Sequence, residues 1–121
     1  MRNPKVWLES DGILRIDYGH YGQITLDAIK NAYEQHVKLS TKKRPVLVYA
    51  STVVRYEREA TSFLWSEEIC AVTSATAIIT QSFLAKHLGQ LFMWYHKPPY
   101  PARLFSSEAD AIRWLENFKE E

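Results

Sequence analysis

Apolar and polar residues alternate from Lys5 to Glu9, with Val6 and Leu8 on one face, and again from Leu14 to Tyr18, with Leu14, Ile16 and Tyr18 on one face. Between the runs stands Ser10-Asp11-Gly12, and glycine accepts the positive φ that a tight hairpin loop demands. The pattern predicts a β-hairpin. After a loop at Gly19-His20-Tyr21-Gly22 the period changes: Leu26, Ile29, Tyr33 and Val37 recur three and four apart, opposite Lys30, Asn31, Glu34 and Lys38. Thr25 stands where a cap belongs and Asp27 suits the exposed amides of a first turn. An amphipathic helix of about four turns follows, ending in Ser40-Thr41-Lys42-Lys43-Arg44-Pro45.

From there strands and helices alternate. Val46-Leu47-Val48-Tyr49-Ala50 is a continuous apolar run bounded by Pro45 and Ser51, as expected of a central strand covered on both faces. A turn leads to a second helix from near Glu57, using Ala60, Phe63 and Leu64 and then Ile69, Cys70 and Val72. Ala75 to Thr80 reads as the next buried strand. A third helix from about Ser82 carries Leu84, Leu88, Leu91, Phe92 and Tyr95, with Gly89 inside it. Lys97-Pro98-Pro99-Tyr100-Pro101 cannot continue a helix and forms an extended connector. Ala102 to Phe105 is a last strand. Ser106 or Ser107 then caps a closing helix with Glu108 and Asp110 in its first turn and Ala111, Ile112, Leu115 and Phe118 inward. The order is ββαβαβαβα: one α/β domain over residues 1–121, with a mixed sheet of about five strands and four helices. The hairpin is antiparallel and the later crossovers parallel.

Composition narrows the function classes. Of 121 residues, 46% are hydrophobic, so a real core is available; fifteen basic against fourteen acidic residues give a net charge of +1, which disfavours nucleic acid as a partner. The single cysteine, Cys70, rules out an internal disulfide and fits a reducing, cytoplasmic setting as a small buried hydrophobe. Neither a leader-like apolar run at the start nor eighteen consecutive apolar residues anywhere is present, so no membrane association is expected. Lys42-Lys43-Arg44 reads as a solvated helix end that complements the helix dipole.

Chemistry-bearing motifs are few. His20, His36, His87 and His96 lack the i, i+4 spacing of a helical metal site, and with only four glycines there is no phosphate-cradling loop or nucleophile elbow. No catalytic residue, metal or cofactor is expected, although a hydrolase assembled from groups scattered in sequence is a third possibility. The candidate site is the turn and helix start after the central strand, where strand ends and helix amides gather. Ser51 and Thr52 lie at the strand end, and Arg55, Glu57, Arg58 and Glu59 crowd four charges into five residues. An exposed helix opening explains those charges, and so does a partner-recognition face.

This VLVYASTVVRYEREA segment, the element order, and the run P-x-R-L-F-x-x-E-x-x-A-x-x-W-L from Pro101 to Leu115 resemble the STAS superfamily, in particular its SpoIIAA-like group of small bacterial proteins. The resemblance spans nearly the whole chain through loose apolar and helix-cap patterns. It implies a non-enzymatic module that binds a regulatory protein, as the anti-sigma-factor antagonists of the superfamily do. In those antagonists an aspartate-serine-serine-glycine signature opens the second helix, and a serine in it is phosphorylated to switch partner binding. Glu57, Arg58, Glu59 and Ala60 fall under that signature here, so an acid remains at its first place while both serines and the glycine are lost. Glu59 would then hold a permanent negative charge.

Partner binding is accordingly expected at Ser51, Thr52, Arg55, Glu57, Arg58 and Glu59. The alternative is a small apolar ligand or lipid held between the sheet and the third helix by Phe83, Leu84, Leu88 and Phe92. The surplus of aromatics, with Trp94, Tyr95 and Tyr100 clustered beside the proline connector, points to a homodimer surface.

Overall fold

In the computed structural model the described residues are 4–18, 22–50, 53–80 and 97–119. They form β1 (Lys5–Leu8), β2 (Leu14–Asp17), β3 (Gly22–Ile24), α1 (Leu26–Leu39), β4 (Arg44–Tyr49), β5 (Val53–Tyr56), α2 (Arg58–Leu64), α3 (Glu67–Val72), β6 (Thr73–Ile79), β7 (Ala102–Phe105) and α4 (Glu108–Leu115), the last running into a 3₁₀ turn at Glu116–Phe118. The third helix expected from Ser82 lies outside the described residues.

The main sheet has the order β1-β2-β4-β6-β7. β1 and β2 are the antiparallel hairpin, in register from Lys5 opposite Asp17 to Leu8 opposite Leu14. Every later pairing is parallel. Gly12 turns the hairpin at φ 82°, and its amide donates to the Glu9 carbonyl at 3.0 Å. Asp11 tightens the same turn by accepting from the Ile13 amide at 2.9 Å. β4 is the central strand, and its run Pro45-Val46-Leu47-Val48 is buried because each sheet face is covered.

Alternation along β4 and β6 sorts the two faces. Leu47, Ala75, Ala77 and Ile79 face α4, whose Ala111 and Leu115 meet them together with Ile13 and Phe105. Val46, Val48, Leu14 and Ile16 face the other way, against Ala32 of α1. Trp114 completes the α4 side by leaning on Phe105 at 5.7 Å and on Phe118 at 4.8 Å. A buried arginine sits at one edge of that face. Both terminal nitrogens of the Arg15 guanidinium reach Asp11, at 2.9 and 3.1 Å, which holds the Asp11 carboxyl below its usual range and keeps Arg15 firmly protonated.

Three parts of the sequence reading change. Two short strands were missed: β3 and β5 form a separate two-stranded parallel sheet, so the turn after the central strand is partly strand. Val53, Val54 and Tyr56 are residues that suit a pleated backbone, and Ile24 and Tyr56 are in register. The second helix is broken into two. Its amides restart at Ser66, whose hydroxyl accepts from the Ile69 amide at 3.5 Å, and Glu67 and Glu68 supply the acidic first turn. Finally, β6 begins at Thr73 rather than Ala75, because a register irregularity between Arg44 and Pro45 lets the strand start early.

Candidate functional site

The charged opening after β4 is built by three segments meeting at the carboxyl end of the central strands. β3 and β5 pair there, and the Glu57 amide extends their ladder by donating to the Ile24 carbonyl at 2.9 Å. Glu57 is the N-cap residue of α2, yet its carboxylate does not cap its own helix. It reaches instead to the opening of α1, where Oε1 accepts from the Leu26 amide at 2.9 Å. Thr25 satisfies a second amide of that turn, accepting from Ala28 at 3.1 Å. A negative charge at this position also suits the positive end of the α1 dipole. One carboxylate therefore fastens the starts of two helices and the small sheet into a single piece. Further along, Tyr33 of α1 meets Phe63 of α2 edge to face at 5.6 Å.

Of the six residues expected to bind a partner, Glu57 is thus a half-buried structural tie and Glu59 an exposed acid in the first turn of α2. Asp27, in the first turn of α1, is likewise exposed. Arg55 lies in β5 opposite Gln23, and Arg58 is the first residue of α2. Ser51 and Thr52 lie outside the described residues. So do Phe83, Leu84, Leu88 and Phe92 of the expected ligand pocket, and Trp94 and Tyr95 of the expected dimer surface.

Tyr100 does not belong to an outer surface. Its ring is buried, its hydroxyl donates to the Leu64 carbonyl at 3.0 Å, and it stands edge to face with Trp65 at 5.8 Å. The proline connector turns this side chain inward to cover the carbonyl left open where α2 ends. That role corrects its assignment to a homodimer surface.

Sequence reasoning also missed a cavity. Between the sheet and α1, a pocket of about 50 Å³ is lined by groups including Tyr18, Tyr33, His36, Thr76, Leu64 and Tyr100. His36 is 2% exposed, and among the described residues its Nε2 has no hydrogen-bond partner. Burial, helped by the charge of Arg44, pushes the imidazole down to about 4, so it is neutral at physiological pH. The signal was present: Ile29, Ala32 and His36 are three and four apart, and this stripe is the one α1 buries. The volume suits an occupant of a few atoms and falls well short of the roughly 300 Å³ at which drug-sized pockets begin.

Among the described residues no three His, Cys, Asp or Glu side chains converge as metal ligands would, and no helix is long and apolar enough to cross a membrane. What the α2 opening offers is an exposed acid, Glu59, next to a carboxylate tied to the start of α1.

A five-stranded mixed sheet flanked by helices, with this opening after its central strand, is a SpoIIAA-like α/β fold. The chain is similar to a crystal structure from Shewanella loihica PV-4, an uncharacterized protein of the DUF3478 family with a SpoIIAA-like fold, at 18% identity and a TM-score of 0.63, over 93% of this chain and 91% of that one. A protein of unknown function from Arthrobacter sp. FB24 matches at 25% identity over 93% of this chain and 98% of that one, with a TM-score of 0.35. No curated protein matches. The chain belongs to the DUF7793 family, a domain of unknown function, whose sequence profile matches residues 6–119.

Proposed function

We propose that this SpoIIAA-like domain is a non-enzymatic regulatory interaction module that docks a protein partner on the opening of α2 and is held in one binding state rather than switched there by phosphorylation. The observation that carries the reading is the Glu57 tie. A phosphorylation switch needs a hydroxyl at the helix opening that gains charge; here Glu57 is already charged and engaged with Leu26, and Glu59 projects a fixed acid from the next turn. A preorganised edge loses little conformational entropy on docking, and its charge steers a partner bearing the opposite sign. The cationic face of a regulatory protein is the expected complement to Asp27 and Glu59.

The test compares the wild type with Glu59→Arg and with Lys30→Glu, which reverses an exposed charge elsewhere on α1, in affinity capture from the native host with mass spectrometry. Circular dichroism confirms that each variant is folded. A partner kept by the wild type and by Lys30→Glu but lost by Glu59→Arg is the expected result. Equal retention by all three would remove the α2 opening as the docking face.

A further inference from the structure

At the opposite end of the sheet, where β4 begins, a cleft of about 330 Å³ is lined by Asp11, Gly12, Lys42, Lys43, Arg44 and Lys119. Three stretches distant in sequence contribute: the hairpin turn, the loop that enters β4, and the end of the described chain. Four cationic side chains face one carboxylate, although the whole chain carries a net charge of only +1. That carboxylate is already engaged. Asp11 accepts from both terminal nitrogens of the Arg15 guanidinium and from the Ile13 amide, so it has little left with which to neutralise the lysines.

Arg44 is held in place rather than free to sweep through solvent. Its Nε donates to the Ser40 hydroxyl at 2.8 Å, and the same hydroxyl accepts from the Lys42 amide at 3.2 Å, which fixes the loop between them. A terminal guanidinium nitrogen lies 3.5 Å from the Gly12 carbonyl, and a Cβ at Gly12 would touch that same nitrogen. Two acceptors thus position the guanidinium and leave several of its donors for something else. Lys42 and Lys43 are exposed and, among the described residues, have no carboxylate partner; Lys119 is paired with Glu116 at 2.8 Å.

We propose that this cleft binds the phosphate group of a phosphorylated small molecule, with Arg44 as the fixed fork and Lys42 and Lys43 as mobile point charges that close on the anion. A planar guanidinium matches two phosphate oxygens at once, whereas ammonium groups add charge without fixing direction. The volume exceeds that of a bare phosphate and accommodates a phosphomonoester of metabolite size. The same chemistry serves a free metabolite or the headgroup of a lipid.

Calorimetric titration with inorganic pyrophosphate, at low and at physiological ionic strength, tests the site. Saturable one-to-one binding is expected, weakened about tenfold or more by Arg44→Gln, as befits loss of a charge-assisted contact. The double variant Lys42→Gln/Lys43→Gln, which removes no internal contact of either side chain seen in the structure, is expected to weaken it comparably, and Lys30→Gln to leave it unchanged. Absence of saturable binding, or a double variant that binds as wild type, overturns the proposal. Phosphatidylcholine vesicles containing phosphatidic acid separate the sources. Vesicle binding displaced by pyrophosphate supports the site and points to a headgroup; vesicle or duplex DNA binding that pyrophosphate does not displace overturns it.

Discussion

The side of the sheet under α4 and the side under α1 are built from similar strands yet filled differently. Under α4, Ala75, Ala77 and Ala111 are fully shielded, so helix and strands approach closely, and Leu47 and Leu115 fill the remaining space. Under α1, Val46, Val48 and Thr76 meet Ala32, Tyr33 and His36 around a cavity, and among the described residues one imidazole nitrogen there is unpartnered. Close packing of apolar groups maximises dispersion and burial, whereas a buried polar atom without a partner costs stability. The α4 side carries the fold, and the α1 side, where the helix openings and Glu57 lie, gives up packing density.

If that division is right, truncation should hurt unequally. Leu115→Ala is expected to cost about 3 to 4 kcal/mol in urea unfolding, because the fully buried site cannot collapse around the hole. Leu64→Ala, a half-buried side chain at the edge of the cavity, should cost no more than about 1 to 2 kcal/mol, because part of it already meets solvent. Equal losses would erase the contrast.

Acid provides the next separation. His36 is neutral in the fold with its pKa near 4, while in the unfolded chain it titrates near 6.5. Between those values the unfolded state holds more protons, so stability falls as the pH drops from 6.5 to 4 and is unaffected by this group outside that window. The loss is on the order of 3 kcal/mol. His36→Leu should remove this part of the slope. The acid loss due to Asp11, whose carboxyl is held low by Arg15, should persist in the variant at still lower pH. Unfolding free energies over a pH series decide it, and an unchanged slope between 6.5 and 4 would show that His36 is not shielded.

Enlarging a side chain probes the same difference from the other direction. Ala77→Val is expected to destabilise by about 1 to 3 kcal/mol, since nothing under α4 can give way. Ala32→Val lines the cavity and should be neutral or mildly stabilising, within about 1 kcal/mol. A small effect is also expected of Tyr100→Phe, which keeps the ring and removes the hydroxyl's bond to the Leu64 carbonyl and should cost about 1 kcal/mol, read as a small shift in the thermal midpoint.

These contrasts also explain how far the sequence could be read. The hairpin, the central strand and α4 follow from alternation around a glycine at positive φ, a continuous apolar run and a serine cap, all local signals that the fold had no reason to override. The SpoIIAA-like architecture follows from their order. β3 and β5 were hidden because each is three or four residues long and acquires its meaning only by pairing with a strand about thirty positions away. The break at Trp65 was hidden because an apolar stripe continued through it, although Ser66 with Glu67 and Glu68 carried the restart signal. In the candidate site the charges were visible, but the reach of Glu57 to α1 was not, since side-chain capping across helices leaves no spacing in the chain. Tyr100 misled for the opposite reason: proline neighbours suggest the surface, yet they aim this ring inward.

The strand order of the main sheet has a further consequence for biogenesis. β1, β2, β4, β6 and β7 lie side by side in the order in which a ribosome releases them. Each new strand can add to the exposed border of those already made, and none has to be threaded between earlier neighbours. Domains acquire structure from the N-terminal side as synthesis proceeds. The helix that packs on Leu47, Ala77 and Ile13 is made after all five strands, so the nascent chain presents that apolar surface until α4 has emerged from the ribosome. That interval, in which the face built on Leu47 and Ala77 still lacks Leu115, is the one in which a chaperone has most to bind.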